Sequence, residues 1–187
     1  MKKIDVFSEL RFLSYKDTVV RQKLVEKTLT KEKINNISLR IKVGGNCNID
    51  FIKPALNLFF GLQKKKIQVE SLQYNNWQSE AFKSKTPTDW WIIWLSSMGI
   101  TEGGIYRKKF DHKYTINAIN NIINNGQNVL VILPETLSAE NNPYSPFVRW
   151  RKNIVSKIVK DVSKEAIIFS PENVINSKNN LNWFAPR

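Results

Sequence analysis

The fold is decided by residues 38–50, which read Ser-Leu-Arg-Ile-Lys-Val-Gly-Gly-Asn-Cys-Asn-Ile-Asp. Residues 38–43 alternate between polar and apolar side chains and contain β-branched residues, a pattern that predicts a strand. Gly44 and Gly45 predict a tight loop directly after it, and Asp50 is expected to cap a following helix. A strand that passes through a short loop into a helix is the first half of a β–α–β unit, so this stretch predicts an α/β protein.

The rest of the chain repeats the same alternation. Residues 90–95, Trp-Trp-Ile-Ile-Trp-Leu, are apolar on both faces, which is typical of a buried parallel strand. The predicted strands are 38–43, 67–72, 89–96, 128–133 and 166–169. The predicted helices cover 16–35, 51–62, a short segment after Trp77, 114–125 with Gly126 as its stop, and 147–164. This order predicts a three-layer α/β sandwich around a five-stranded parallel sheet of the flavodoxin-like type.

The chain has 187 residues, a length that fits one domain. Residues 1–37 are interpreted as an N-terminal arm and helix that pack on the domain, and residues 38–187 as the α/β domain itself. The N-terminus shows no apolar signal-peptide run, and the longest apolar run has only the length of a strand. A cytoplasmic location is therefore expected, in line with the single cysteine.

The charge balance favours anionic partners. The chain contains 29 Lys and Arg residues against 16 Asp and Glu residues, for a net charge of +13. A lysine-rich solvated surface in a Lys-, Asn- and Ile-rich sequence explains the same charge equally well. With one cysteine and one histidine, the sequence offers neither an intrachain disulfide nor the usual ligand set of a zinc site. No metal and no cofactor are expected.

The candidate site lies where the predicted strands end, because ligands of open parallel sheets bind at the carboxyl ends of the strands. The loop after the first strand contributes the ligand-binding candidates Gly44, Gly45, Asn46 and Asn48. Cys47 lies among them, where the positive end of the following helix favours a thiolate, so Cys47 is the candidate nucleophile. A small buried cysteine beneath the sheet edge is the alternative interpretation.

His112 is the candidate base at neutral pH, because it is the histidine of the chain. It follows Asp111 in the polar segment predicted after the third strand. A Cys47–His112–Asp111 arrangement is chemically possible, although adjacent Asp and His side chains rarely orient one another. A surface histidine without a catalytic role is the alternative.

Gly45-Asn46-Cys47 resembles the Gly-Asp-Ser that contains the nucleophile of the SGNH (GDSL-type) hydrolases, and it occupies the same place after the first predicted strand. The sequence resembles the amino-terminal domain of the FkbH-like proteins more closely. That resemblance rests on three short stretches: residues 43–56, the Tyr-Asn-Asn-Trp loop at 74–77, and Asn-Pro-Tyr-Ser-Pro-Phe-Val-Arg-Trp-Arg-Lys-Asn at 142–153. The resemblance covers roughly residues 38–187 and implies an SGNH/flavodoxin-like fold. In FkbH-like proteins this domain precedes a HAD-type phosphatase-like domain, which is the part associated with loading a glyceryl unit onto carrier proteins.

The catalytic residues of the family are replaced in this sequence. The late Asp-x-x-His-Pro of SGNH hydrolases corresponds to Asn182 through Pro186 here, with Asn182 in place of Asp and Ala185 in place of His. Alanine cannot accept a proton. The oxyanion donors of the family are also missing, and four polar residues are possible substitutes: Asn75, Asn76, Ser96 and Ser97. These four residues and Asn182 are the further ligand-binding candidates.

Three functions follow as hypotheses. The first is a catalytically degenerate SGNH-like module that binds an acyl, glyceryl or sugar group, or an acyl-carrier protein presenting one, with a HAD-type phosphatase-like domain as a possible companion. The second is an esterase or acyltransferase that uses Cys47 as nucleophile. The third is a non-specific nucleic-acid-binding domain, which the charge alone suggests. No membrane partner is expected, and the chain is consistent with a domain excised from a longer protein.

Overall fold

The computed structural model describes residues 14–72, 76–83, 86–96, 101–102, 105–106, 111–134 and 146–170. Its helices are α1 (Tyr15–Lys31), α2 (Ile52–Leu62), α3 (Trp77–Lys83), α4 (His112–Asn124) and α5 (Pro146–Asp161). Its strands are β1 (Ile37–Gly45), β2 (Lys66–Ser71), β3 (Trp90–Trp94), β4 (Thr101–Glu102), β5 (Ile105–Tyr106), β6 (Asn128–Ile132) and β7 (Ile167–Phe169).

The central sheet has five strands in the order β2-β1-β3-β6-β7, and every neighbouring pair is parallel. This is the flavodoxin-like order, in which the chain reverses direction across the sheet between β1 and β3. The predicted α/β class and the predicted five-stranded parallel sheet are therefore confirmed. Each predicted strand has a counterpart in the sheet, with ends that differ by no more than two residues.

The two faces of the sheet carry separate apolar clusters, because side chains alternate between the faces along each strand. On one face Ile41, Val43 and Val69 pack with Ile52 of α2, and α1 packs outside α2. On the other face Trp91, Ile93 and Val131 pack under α3, α4 and α5. We call these the α2 face and the α4 face of the sheet.

Local sequence signals set several element ends. Ser14 caps α1, since its hydroxyl accepts a hydrogen bond from the Asp17 N–H at 3.1 Å. Gly126 follows α4 with a φ of +73°, a left-handed conformation that glycine adopts without steric cost, so the predicted stop is confirmed.

Four sequence-based expectations need correction. Asp50 does not cap α2, because Phe51 is the N-cap residue and makes no side-chain capping bond. The segment after β3 is not simply a loop, since β4 and β5 pair antiparallel within it. His112 is the first residue of α4 rather than a loop residue. Of the apolar residues that predicted the first helix, Leu29 is buried but Val20 and Leu24 remain exposed.

Candidate functional site

The carboxyl ends of β1 and β3 are held together by Asn46. The Asn46 N–H donates to the Trp94 carbonyl at 3.2 Å. Its side-chain oxygen accepts from the Ser96 N–H at 2.7 Å, and its side-chain nitrogen donates to the Ser96 carbonyl at 3.1 Å. Asn46 and Ser96 are both buried. The amide of Asn46 therefore extends the pairing of the two strands by one step beyond the sheet, a role that sequence reasoning did not assign to it.

Gly44 and Gly45 are explained by packing within the fold. A Cβ on Gly44 would overlap the Cβ of Trp77 and would lie 2.8 Å from its Cγ. A Cβ on Gly45 would lie 2.5 Å from the Trp94 carbonyl oxygen. Both separations are shorter than van der Waals contact allows. Gly44 therefore allows α3 to pack closely on β1, and Gly45 allows the end of β3 to approach the backbone of β1.

Cys47 lies just beyond this glycine pair. Its side chain is half-buried and packs against the apolar cluster on the α2 face. Asn48 is exposed, and its side-chain oxygen accepts a hydrogen bond from the Asp50 N–H at 2.9 Å. This Asx turn bends the chain towards α2.

His112 begins α4, the helix that packs on the opposite face of the sheet. Asp111 is its N-cap, and the Asp111 carboxylate accepts from the Tyr114 N–H at 2.9 Å. Asp111, which we expected to pair with His112, therefore caps α4. The structure places Cys47 in the packing of one face of the sheet and His112 at the start of a helix on the other.

Within the described part of the chain, three buried polar atoms near the carboxyl end of β2 have no hydrogen-bond partner, and sequence reasoning singled out none of them. They are Ser71 Oγ at the end of β2, and Trp77 Nε1 and Gln78 Oε1 in the first turn of α3. An unpaired buried polar atom is costly, so each such atom calls for a partner, which can be an ordered water or a bound molecule. Trp77 has no exposed surface and packs against Gly44, so its unpaired N–H lies beside the loop predicted to form the site.

A buried lysine, Lys42, attaches α3 to the sheet near these unpaired atoms; we call this region, around Gly44 and Trp77, the corner at Trp77. Lys42 of β1 is almost fully buried, and its Nζ lies 2.7 Å from Glu80 Oε1 of α3 and 3.8 Å from Glu70 Oε2 of β2. The Nζ also lies 5.3 Å from the centre of the Trp91 ring, within reach of a cation–π interaction. These contacts attach α3, and with it Trp77, to the sheet. The alternation of residues 38–43 gave no sign that this lysine is interior.

Several predicted site residues fall outside the part of the chain that the structure describes: Asn75, Ser97 and Asn182, together with Ala185. Asn76 is described and exposed, and its carbonyl accepts from the Glu80 N–H at 3.0 Å as α3 begins. The roles proposed for these residues stay predictions.

Within the described residues, no group of three or more His, Cys, Asp or Glu side chains is arranged to hold a metal ion. The helices described there all lack the length or the apolar character that crossing a bilayer requires.

Comparison with known proteins gives one informative likeness. No protein-family model matches the chain. No curated protein matches it significantly. Among solved structures, it is similar to the N-terminal part of the protein BF1531 from Bacteroides fragilis, whose crystal structure contains a phosphatase domain complexed with Mg. The TM-score is 0.61 at 12% identity, over 82% of this chain and 46% of the other. The present chain thus spans about half of that structure, and the likeness shows a shared α/β fold.

Proposed function

We propose that the chain is a binding module of the FkbH-like type, in which the SGNH-like fold has lost its hydrolytic machinery. The observation that carries this proposal is that the two candidate catalytic residues belong to elements on opposite faces of the sheet. Cys47 packs with the apolar cluster on the α2 face, while His112 begins a helix on the α4 face beside a carboxylate that caps that helix. A nucleophile needs a base within hydrogen-bond reach, and this arrangement does not favour one.

The similarity to BF1531 supports the biosynthetic context. The FkbH-like resemblance of the sequence implies an amino-terminal domain that works beside a phosphatase-like domain. The solved structure with a similar fold is a larger protein that contains a phosphatase domain. The proposed partner is therefore a HAD-type phosphatase-like domain, together with the carrier protein or small acyl group on which such a pair acts.

The unpaired polar atoms beside Gly44 suit a hydroxyl-bearing ligand. Trp77 Nε1 is a donor and Gln78 Oε1 is an acceptor, and neither has a hydrogen-bond partner among the residues that the structure describes. A hydroxyl group accepts one hydrogen bond and donates another, so a glyceryl or sugar hydroxyl can serve as partner to a donor and to an acceptor. Because both atoms are buried and Trp77 packs directly on Gly44, such a group reaches them only when the start of α3 moves away from β1. We place the bound group beside the start of α3, at the carboxyl ends of β1 and β2.

An ester-hydrolysis assay tests the absence of catalysis. We expect the wild-type protein, Cys47→Ala and His112→Ala to release p-nitrophenol from p-nitrophenyl acetate at the same background rate, with circular dichroism showing that all three are folded. A wild-type rate that disappears in Cys47→Ala would contradict the proposal.

A binding experiment tests the ligand class. The probe is the glyceryl thioester of N-acetylcysteamine, with the acetyl thioester as the matched probe without hydroxyls, followed by amide chemical shifts of residues 44–48. We expect the glyceryl probe to bind about fivefold more tightly than the acetyl probe, for one to two hydrogen bonds in a buried site. Gln78→Leu should remove this preference, whereas Gln63→Leu, at the exposed end of α2, should retain it. Equal affinity for the two probes would contradict the placement of a hydroxyl at Trp77 and Gln78.

A Cys47-dependent acyltransferase is the second candidate, and one observation favours it. The Cys47 side chain is only half-buried and lies at the edge of the sheet where ligands bind. The thiolate would attack an activated acyl carbonyl, forming a thioester and releasing the leaving group with its electron pair. Mass spectrometry after exposure to an activated ester checks this function. Acylation of Cys47 faster than that of a free thiol at the same pH would favour it over the binding module.

A further inference from the structure

A groove along α5 lies at the other end of the carboxyl edge, two strands from Gly44. Its volume is about 470 Å³, and it is bounded by α5 and by the residues that follow β6 and β7. Its polar wall consists of Lys152, Ser156, Lys160 and Ser170. Its apolar wall includes Leu133, Val155 and Val159.

The polar wall of the groove carries side chains that suit the binding of an anion. Lys152, Ser156 and Lys160 recur at every fourth position of α5, so they lie on one side of that helix. Each lysine Cα is about 6 Å along the helix axis from that of Ser156, a span that a lysine side chain bridges. No carboxylate lines the groove, and neither lysine pairs with an acid in the described residues. Two ammonium groups therefore meet two hydroxyl groups, and no acidic side chain of the described residues neutralises them.

The number of donors distinguishes among anions. The two lysines and the hydroxyls of Ser156 and Ser170 supply donors to more oxygens than the two of a carboxylate. A phosphate monoester carries three terminal oxygens and close to two negative charges at neutral pH. Val159, which is about half exposed, and Val155 continue the groove with surface suited to a hydrocarbon chain.

We propose that this groove binds an alkyl phosphate ester, with the phosphate held between Lys152, Ser156 and Lys160 and the alkyl chain along Val155 and Val159. The assignment is independent of the hydroxyl-binding corner at Trp77, because the two sites share no residue.

Titration calorimetry with butyl phosphate, inorganic phosphate and pentanoate tests the proposal on the whole chain. We expect butyl phosphate to bind most tightly, and its affinity to fall as salt is added. Lys152→Gln and Lys160→Gln should each weaken butyl phosphate binding about tenfold, the loss of one charge-assisted hydrogen bond. The matched control is Lys157→Gln, which removes the same charge from the same helix at a position that does not line the groove. It should change the affinity less than about twofold.

Three outcomes would overturn the assignment. If Lys157→Gln weakens binding as much as Lys152→Gln does, the attraction comes from the net charge of the protein and not from the groove. If pentanoate binds as tightly as butyl phosphate, the phosphate class is wrong. If inorganic phosphate binds as tightly as butyl phosphate, the apolar wall makes no contact with the ligand. Thermal unfolding of each variant shows whether it is folded, and the glyceryl-probe titration of the same variants reports separately on the corner at Trp77.

Discussion

At the scale of single residues, the carboxyl edge of the sheet is organised by amide and glycine chemistry rather than by charge. The Asn46 side chain satisfies both backbone groups of Ser96, and these groups lie in a region closed to water. Gly44 allows the Trp77 ring to pack against the backbone of β1. Gly44 and Asn46, which resemble part of a ligand-binding loop in sequence, therefore also hold this segment against its neighbours in the fold.

Replacement of Asn46 tests this structural role. Asn46→Ala removes two hydrogen bonds to the buried backbone N–H and carbonyl of Ser96, and we expect a loss of about 2–4 kcal/mol in the free energy of unfolding. Asn48→Ala is the control, because the exposed Asn48 side chain makes one turn bond that water can replace; we expect a loss below about 1 kcal/mol. Urea denaturation of both variants measures the difference. Equal losses would show that the Asn46 amide does not hold β1 and β3 together.

Two glycine substitutions separate crowding from backbone strain. Gly44→Ala places a methyl group inside the contact with Trp77, so α3 must shift, and we expect a loss of about 2–3 kcal/mol. Gly126→Ala meets no atom within 4 Å but puts alanine at a φ of +73°, and we expect about 1 kcal/mol. Thermal unfolding compares the two variants. A larger loss at Gly126 than at Gly44 would contradict the tight packing of Trp77 on β1.

At the scale of elements, α3 is a helix of seven residues that depends on tertiary contacts for its stability. Lys42 binds it to the sheet through Glu80, and Asn121 of α4 donates to the Ala81 carbonyl at 2.8 Å. The position of Trp77, and with it the proposed hydroxyl-binding corner, follows from these attachments.

The buried ion pair gives an asymmetric prediction. Glu80→Gln leaves Lys42 charged in the interior with Glu70 at 3.8 Å, and we expect a loss of about 2 kcal/mol. Lys42→Met removes the buried charge and leaves Glu80 partly exposed to water, so we expect a change within about 1 kcal/mol. A double-mutant cycle in urea measures the coupling between the two residues.

The control for that cycle is the exposed pair formed by Glu32 and Lys64, whose closest oxygen–nitrogen distance is 3.0 Å. Glu32→Gln should cost less than about 0.5 kcal/mol, because water and salt screen that pair. If Glu80→Gln is no more costly than Glu32→Gln, burial adds nothing to the interaction of Lys42 with α3.

At the scale of the whole molecule, stability is graded across the sheet. β1, β3 and β6 each pair on both sides, whereas β7 pairs only with β6 in the described part of the chain and has Ile167 and Phe169 exposed. Trp91 and Val131, in the two middle strands, have almost no exposed surface. The core is therefore concentrated under β3 and β6 and becomes thinner towards β7.

Amide hydrogen exchange measures this gradient. We expect the slowest exchange in β3 and β6, because opening their hydrogen bonds requires global unfolding. The amides of β7 should exchange at least about tenfold faster, because an edge strand opens locally. Mass spectrometry of peptic fragments resolves the strands. Exchange in β7 as slow as in β3 would contradict the graded stability.

The local pattern of residues determined the elements of this protein and their order. A period-two alternation in 38–43, a continuous apolar run in 90–95 and a left-handed glycine at 126 are signals that near neighbours impose, because each depends on the geometry of one strand or one helix turn. Strands alternating with helices then restrict the topology to a parallel sheet, since such connections must cross over the sheet. The site was predictable in part: residues 44–48 could be placed at the carboxyl edge, but the loop expected at 44–48 begins only after Gly45, because Gly44 and Gly45 pair with β3 as the last residues of β1.

Only the tertiary structure decided what that loop contacts. Three features depend on contacts between residues far apart in the chain. Lys42 is interior, and Cys47 and His112 belong to opposite faces of the sheet. Trp77 Nε1, beside Gly44, has no hydrogen-bond partner among the described residues. The alternation of a strand assigns its side chains to two faces, but it does not say which helix covers each face. That choice is made by the packing of α2 against one cluster and of α3, α4 and α5 against the other, because burying both apolar faces at once selects one arrangement of the helices.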